Sequence, residues 1–201
     1  MIASFAILIG VIGINADPPA DTSQVITDFG LSDAAGKKHS LKEWEGSKAV
    51  VFFFIWSECP ASNGYAPELA RLFKDFTDKG VKFYGVHSDP DLTAEQALAH
   101  SKEYQLPFPV LLDPTQSLAR QTGAKRNPTA VILSPEGNVL YRGRIDDRYI
   151  SLGKKRAEPT KRDTQDALTL IVSGKTPAFA ETEVIGCLIP KVTAPKDQKP
   201  K

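Results

Sequence analysis

Two cysteines, Cys59 and Cys187, lie 128 residues apart in a chain of 201. Cysteine does chemistry as thiolate, so the question is what surrounds each sulfur. Cys59 sits in Phe53-Phe54-Ile55-Trp56-Ser57-Glu58-Cys59-Pro60-Ala61-Ser62-Asn63. The continuous apolar run 49–56 predicts a buried strand, and 60–79 predicts a helix. Cys59 therefore falls at a strand-to-helix switch, with Pro60 in the first turn, where a missing N–H costs nothing. Unpaired N–H groups and the positive end of the helix dipole favour thiolate there, the pattern of a redox nucleophile. The alternative is a small buried hydrophobe. The long separation excludes a local Cys-x-x-Cys or a zinc knuckle, while an even cysteine count in an exported chain invites a disulfide.

The elements that must position these sulfurs follow from the hydrophobic pattern. A short strand, a turn and a second short strand are predicted over 29–41, then a helical connector over 41–46. After the strand 49–56 comes the helix 60–79, with Leu69, Leu72, Phe73 and Phe76 on one face and Gly80 as its stop. A strand over 81–86, a helix over 93–104, a strand over 110–113 and a short helix over 116–122 follow. The segments 130–133 and 139–144 form a hairpin across Pro135-Glu136-Gly137, and 164–174 is the last helix. Strands alternating with helices and closing on a hairpin and a helix predict an α/β sandwich.

The composition fits a single domain with a real core: 41% apolar, 24% charged, net charge +1. Near neutrality argues against nucleic acid as a partner. The expected divisions are an apolar 1–16, a polar lead 17–24, one domain over 25–175, an arm over 176–190 that carries Cys187, and a basic tail over 191–201. Residues 1–16 hold no charged side chain and are followed by Asp17-Pro18-Pro19. They resemble a secretory signal segment and are too short to span a bilayer, which takes about 20 residues. A basic start is missing, and Ile14 is large for its place before Ala16. An exported location, periplasmic or extracellular, is expected, with membrane attachment only if this segment is retained.

The strand, Trp56-Ser57-Glu58-Cys59-Pro60-Ala61-Ser62 and helix together resemble the active-site segment of the thioredoxin-like superfamily. Within it they resemble the redoxin branch of AhpC/TSA-type and TlpA/ResA-like proteins. The resemblance implies a three-layer α/β sandwich, with a central mixed sheet, an N-terminal hairpin and a C-terminal extended arm. One departure is plain: Ser62 stands where thioredoxins have a second cysteine, and serine cannot resolve a mixed disulfide. The resemblance also implies a cis proline at Pro128 facing the cysteine and presenting the backbone of Asn127 to an extended partner. Trp56, Pro60, Ser62, Asn127 and Pro128 are thus expected around a docked substrate. Peroxiredoxins place threonine or serine three residues before the cysteine, where this chain has Trp56, and an arginine near the later strand, which Arg126 matches poorly.

A subgroup of exported redoxins is resembled more closely through Cys59, Pro60, Asn63, Tyr65, Ala66, Pro67 and Glu68. Further matches are Gly143-Arg144-Ile145-Asp146-Asp147-Arg148-Tyr149 and Gly186-Cys187. Taken alone, the charged segment reads as a surface turn with salt-bridged arginines. Cys187 is a candidate resolving cysteine: the 13 residues from Gly174 reach at most about 45 Å, against a domain radius of about 16 Å. A separate thiol is the alternative. His87 with Cys59 suggests a copper site only weakly, since Asn63 stands where copper-binding relatives have a cysteine. No metal or cofactor is expected.

The expected function is thiol–disulfide oxidoreduction, with Cys59 attacking and Cys187 or an external thiol resolving. Its partners would be a protein or small-molecule thiol or disulfide and an external reductant. The alternatives are a thiol peroxidase and a redox-inert or metal-binding module of the same fold.

Overall fold

The computed structural model describes residues 25–27, 30–175 and 180–192. The expected signal segment 1–16, the polar lead 17–24, residues 176–179 of the arm and all but the first two residues of the tail lie outside the described residues.

The strands β1 (Gly30–Ser32) and β2 (Lys38–Ser40) form an antiparallel hairpin, followed by one 3-10 turn, Leu41–Trp44. Then come β3 (Ala49–Ile55), α1 (Pro60–Phe76), β4 (Val81–His87) and α2 (Ala94–Glu103). Next are β5 (Val110–Leu112), α3 (Ser117–Thr122), β6 (Arg126–Asn127), β7 (Thr129–Leu133) and β8 (Val139–Gly143). The chain continues through β9 (Tyr149–Ser151), β10 (Lys154–Lys155), α4 (Asp163–Val172), β11 (Ala180–Glu181) and β12 (Cys187–Leu188).

The main sheet has the order β11-β8-β7-β3-β4-β5. Strands β3, β4 and β5 run parallel, β7 pairs antiparallel with β3 and β8, and β11 adds a parallel edge on β8. All seven residues of β3 are buried, which is why its sequence is apolar throughout instead of alternating. One face carries Val51, Phe53 and Ile55 against Leu69, Leu72 and Phe76 of α1 and Leu168 and Ile171 of α4. The other carries Val50, Phe52 and Phe54 against Trp44, and Leu118 and Ala119 of α3. Helices on both faces of a mixed sheet in this strand order make the three-layer, thioredoxin-like α/β sandwich that the resemblance implied.

Local signals explain most boundaries. The Leu69, Leu72 and Phe76 stripe faces the sheet, and Gly80 ends the segment at φ +88, a conformation that favours glycine. Between them α1 tightens into a 3-10 turn, Thr77–Lys79. Helix α2 opens on a reciprocal cap: the Thr93 hydroxyl accepts from Gln96 N–H at 3.2 Å, and the Gln96 carboxamide accepts from Thr93 N–H at 2.9 Å. Among the described residues no helix is long and apolar enough to cross a membrane.

Candidate active site

Cys59 is the residue immediately before α1, in an extended conformation, and Pro60 occupies the first turn. Strand β3 delivers it from the centre of the sheet. Its side chain is 0% exposed. The neutral thiol donates to the Asn127 carbonyl at 3.4 Å, so β3 and β6 meet at the sulfur. The Asn127–Pro128 peptide bond is cis. Asn127 is buried, and Pro128 leads straight into β7.

The chain itself occupies this edge. Strand β12 pairs antiparallel with β6, with Cys187 opposite Asn127 and Leu188 opposite Arg126. Ile189 N–H donates to the Lys125 carbonyl at 3.1 Å, and Arg126 Nη1 donates to the Gly186 carbonyl at 2.9 Å. Gln116 Nε2 donates to the Pro190 carbonyl. Gly186 is required by proximity: a Cβ there would sit 2.0 Å from the Asn127 carbonyl oxygen. The arm therefore lies on the backbone that the sequence reading reserved for a docked partner.

Both cysteines are free thiols, Cys59 buried and Cys187 half-buried, and both meet Asn127, Cys59 through its sulfur and Cys187 through the β12–β6 register. Burial alone would push the Cys59 thiol up. Hydrogen bonds from the Cys187 thiol and from the Ser62 and Cys187 backbone N–H groups outweigh burial and hold it below the ordinary cysteine value. Burial, then the hydrogen bond and charge of Cys59, push Cys187 up to about 11. Of the two, Cys59 is the more readily ionised and Cys187 the one that holds its proton. The sign follows: a lowered pKa keeps Cys59 as thiolate below the usual value of about 8.5, and reactivity is lost as pH falls through the lowered value. Alkylation of each cysteine in the intact reduced protein, followed across pH by peptide mapping, is expected to give the earlier inflection for Cys59. Coincident profiles would contradict it.

The remaining predicted residues take distinct places. Ser62, in the resolving position of thioredoxins, is buried, and its hydroxyl accepts from Trp56 N–H at 3.3 Å. It closes the loop around Cys59. The Trp56 indole N–H donates to Asp89 at 2.9 Å, which fixes the ring at the end of β3. Arg126 holds the arm, as described. His87 is engaged by a second histidine: its Nε2 lies 3.3 Å from His100 Nδ1. Burial, then the charge of His100, push His87 down to about 3. His100 Nε2 in turn lies 2.9 Å from the Asn63 side-chain oxygen, and Asn63 Nδ2 donates to the Ser57 carbonyl at 2.8 Å. This chain of contacts braces the loop that carries Cys59.

Sequence reasoning placed Gly143–Tyr149 on the surface, and here the structure differs. Asp146 and Asp147 are 2% and 6% exposed. The Tyr65 hydroxyl donates to Asp146 Oδ1 at 2.6 Å, and Arg148 lies 3.4 Å from Asp146 and 3.9 Å from Glu68. Glu68 is buried too, with Arg71 and Arg162 around it. The Tyr149 ring packs on Tyr65 at 5.2 Å, and a Cβ on Gly64 would lie 2.4 Å from its hydroxyl. The two separated motifs thus interlock, and the second clamps the first turns of α1. The alternating Tyr65–Asp146 and Glu68–Arg148 partners were the available signal, and only a pairing of the two motifs would have exposed it. Tyr65→Phe leaves the buried Asp146 short of a donor and is expected to cost about 1–3 kcal/mol of stability, measured by urea unfolding.

Known proteins resemble this chain in sequence and in fold. Thiol-disulfide oxidoreductase ResA of Halalkalibacterium halodurans is 25% identical over 122 residues, covering 60% of this chain and 67% of that protein. Chloroplastic peroxiredoxin Q of Gentiana triflora is 32% identical over 95 residues, covering 47% of this chain and 42% of that protein. The chain thus spans about two thirds of one relative and under half of the other. The crystal structure of a hypothetical protein from Sinorhizobium meliloti 1021 superposes with a TM-score of 0.72 at 30% identity, covering 82% of this chain and 91% of that one. The AhpC/TSA family model matches residues 22–142, so Cys59 and Pro128 fall inside the match and Cys187 outside it. On a match of more than half its length, the chain belongs to the AhpC/TSA family.

Proposed function

We propose that this chain is a thiol–disulfide oxidoreductase with Cys59 as nucleophile and Cys187 as resolving thiol. The observation that supports the reading is the convergence of both cysteines on one residue beside the cis proline: the Cys59 sulfur lies 3.4 Å from the Asn127 carbonyl oxygen, and β12 sets Cys187 directly opposite Asn127. The Cys59 thiolate attacks a substrate disulfide, forming a Cys59–substrate disulfide and releasing one substrate thiolate. Cys187 then attacks the Cys59 sulfur, the Cys59–Cys187 bond forms, and the second substrate thiolate leaves. Once Cys59 is in a disulfide, its charge no longer holds the proton on Cys187, so the resolving thiolate forms more readily. ResA, a relative in sequence, carries this activity in its name. Trp56, Pro60, Ser62, Asn127 and Pro128 would shape the docking edge, which the arm must leave when a protein substrate enters.

A second reading, thiol peroxidase, is favoured by the full burial of Cys59, which admits only a small oxidant while the arm is down, and by the likeness to peroxiredoxin Q. Cys59 sulfenic acid would then condense with Cys187, releasing water. Initial rates with a disulfide-bonded protein and with hydrogen peroxide, under one thiol reductant, separate the two. Faster turnover of the disulfide is expected, and turnover of peroxide alone would reverse the order. Export of the chain is part of the proposal and rests on the apolar, uncharged residues 1–16. An oxidising compartment would let the Cys59–Cys187 bond persist.

A further inference from the structure

Cys187 also borders a cleft between α1 and the β9–β10 hairpin. The cleft measures about 540 Å3, within the range of about 300–1,000 Å3 common for small-molecule sites. Pro60, Ala61 and Gly64 of α1 form one wall, and Tyr149, Leu152 and Lys155 of the β9–β10 hairpin form the other. Cys187 is among its lining residues, whereas Cys59 is not. The walls are mostly apolar, and no carboxylate lines them. The nearby arginines are neutralised: Arg148 by Asp146 and Glu68, Arg156 by Asp147. Lys155 is exposed and has no carboxylate within ion-pair distance among the described residues.

We propose that this cleft is the entry site of a small anionic thiol that reduces the Cys59–Cys187 disulfide by attacking Cys187. The proposal rests on the disulfide reading above. Three observations converge on it. Cys187 is the accessible sulfur of the pair, while Cys59 is fully buried. The cleft has small-molecule dimensions. Its only charged lining group is a cation, which selects a carboxylate-bearing thiol over a cationic one. The thiolate forms a bond to the Cys187 sulfur, the Cys59–Cys187 bond breaks, and its electron pair leaves on Cys59, the side of the pair better able to hold it. A second molecule of the same thiol attacks the first one's sulfur, giving the symmetric small-molecule disulfide and Cys187 thiolate, which takes up a proton. Two thiols are oxidised and one protein disulfide is reduced.

The test uses the full chain, oxidised to the Cys59–Cys187 form, and three probes: 3-mercaptopropionate, 2-mercaptoethanol and cysteamine. Rates are compared per thiolate present. At low ionic strength the anionic probe is expected to outrun the cationic one by about tenfold, the scale of attraction against repulsion at one exposed charge, and salt should shrink the gap. Lys155→Glu, at an exposed site where folding is not at stake, is expected to reverse the order. Acid-quenched peptide mapping should find the adduct on Cys187. An adduct on Cys59, or a charge order unchanged by Lys155→Glu, overturns the proposal while leaving the disulfide intact. Failure to form the Cys59–Cys187 disulfide at all would overturn both it and the functional reading.

Discussion

Cys187→Ser is expected to stall the protein as mixed disulfides on Cys59, whereas Cys59→Ser is expected to lower turnover by about three orders of magnitude or more, as loss of a nucleophile does. The asymmetry follows from the site. Cys59 can attack without Cys187, but Ser62 stands where a near resolving thiol would be, and a hydroxyl cannot displace sulfur. Removing Cys187 also removes a hydrogen bond that lowers the Cys59 pKa, so the trapped species should accumulate more slowly at low pH than the wild-type reaction proceeds. Non-reducing gels of the variant with a disulfide-bonded protein substrate read the trap, and reductant should dissolve it. Normal turnover by Cys187→Ser with no adduct would assign resolution to an external thiol.

The second large effect is expected at Gly186. A side chain there meets the Asn127 carbonyl at 2.0 Å, and both groups are backbone-anchored, so the arm has to move. Gly186→Val should cost the strand pairing and the Arg126 bond to the Gly186 carbonyl. At about 1 kcal/mol for each of two or three hydrogen bonds, the undocked population rises roughly 30- to 150-fold. Cys59 alkylation, measured at a pH where it is thiolate in both proteins, should accelerate on that scale, while formation of the internal disulfide slows. Far-UV circular dichroism should stay unchanged, because β12 lies outside the main sheet. Unchanged alkylation would mean that the arm does not cover the nucleophile.

The legible part of this protein is the part whose physics is local. The strand 49–56 announced itself by an unbroken apolar run because β3 is buried on both faces, and the helix after it by the Leu69, Leu72 and Phe76 spacing. Cys59 was legible because Pro60 marks the helix start. The hairpin of β9 and β10 was missed because its strands are only three and two residues long and its apolar residues Ile150 and Leu152 stay exposed, so no buried face marks it. The pairs β6–β12 and β8–β11 are two residues long on each strand, and they are fixed by contacts across 60 and 39 positions of sequence. Asp146 and Asp147 read as surface charge because burial of a carboxylate depends on partners, here Tyr65, Arg148 and Thr160, that composition does not reveal. Cys187 was legible as a candidate from the even cysteine count, the Gly186-Cys187 match and its reach. That it docks through a strand laid on the cis-proline edge came from the register of β12 against Asn127.

The central claim is that Cys59 and Cys187 exchange electrons as a pair within one chain. The most direct test is peptide mapping of the full chain after mild oxidation at low protein concentration. The account predicts a monomer with no free thiol and a single disulfide joining the Cys59 and Cys187 peptides. A protein whose Cys187 remains free, or pairs with Cys187 of another copy while Cys59 alone is oxidised, would contradict it.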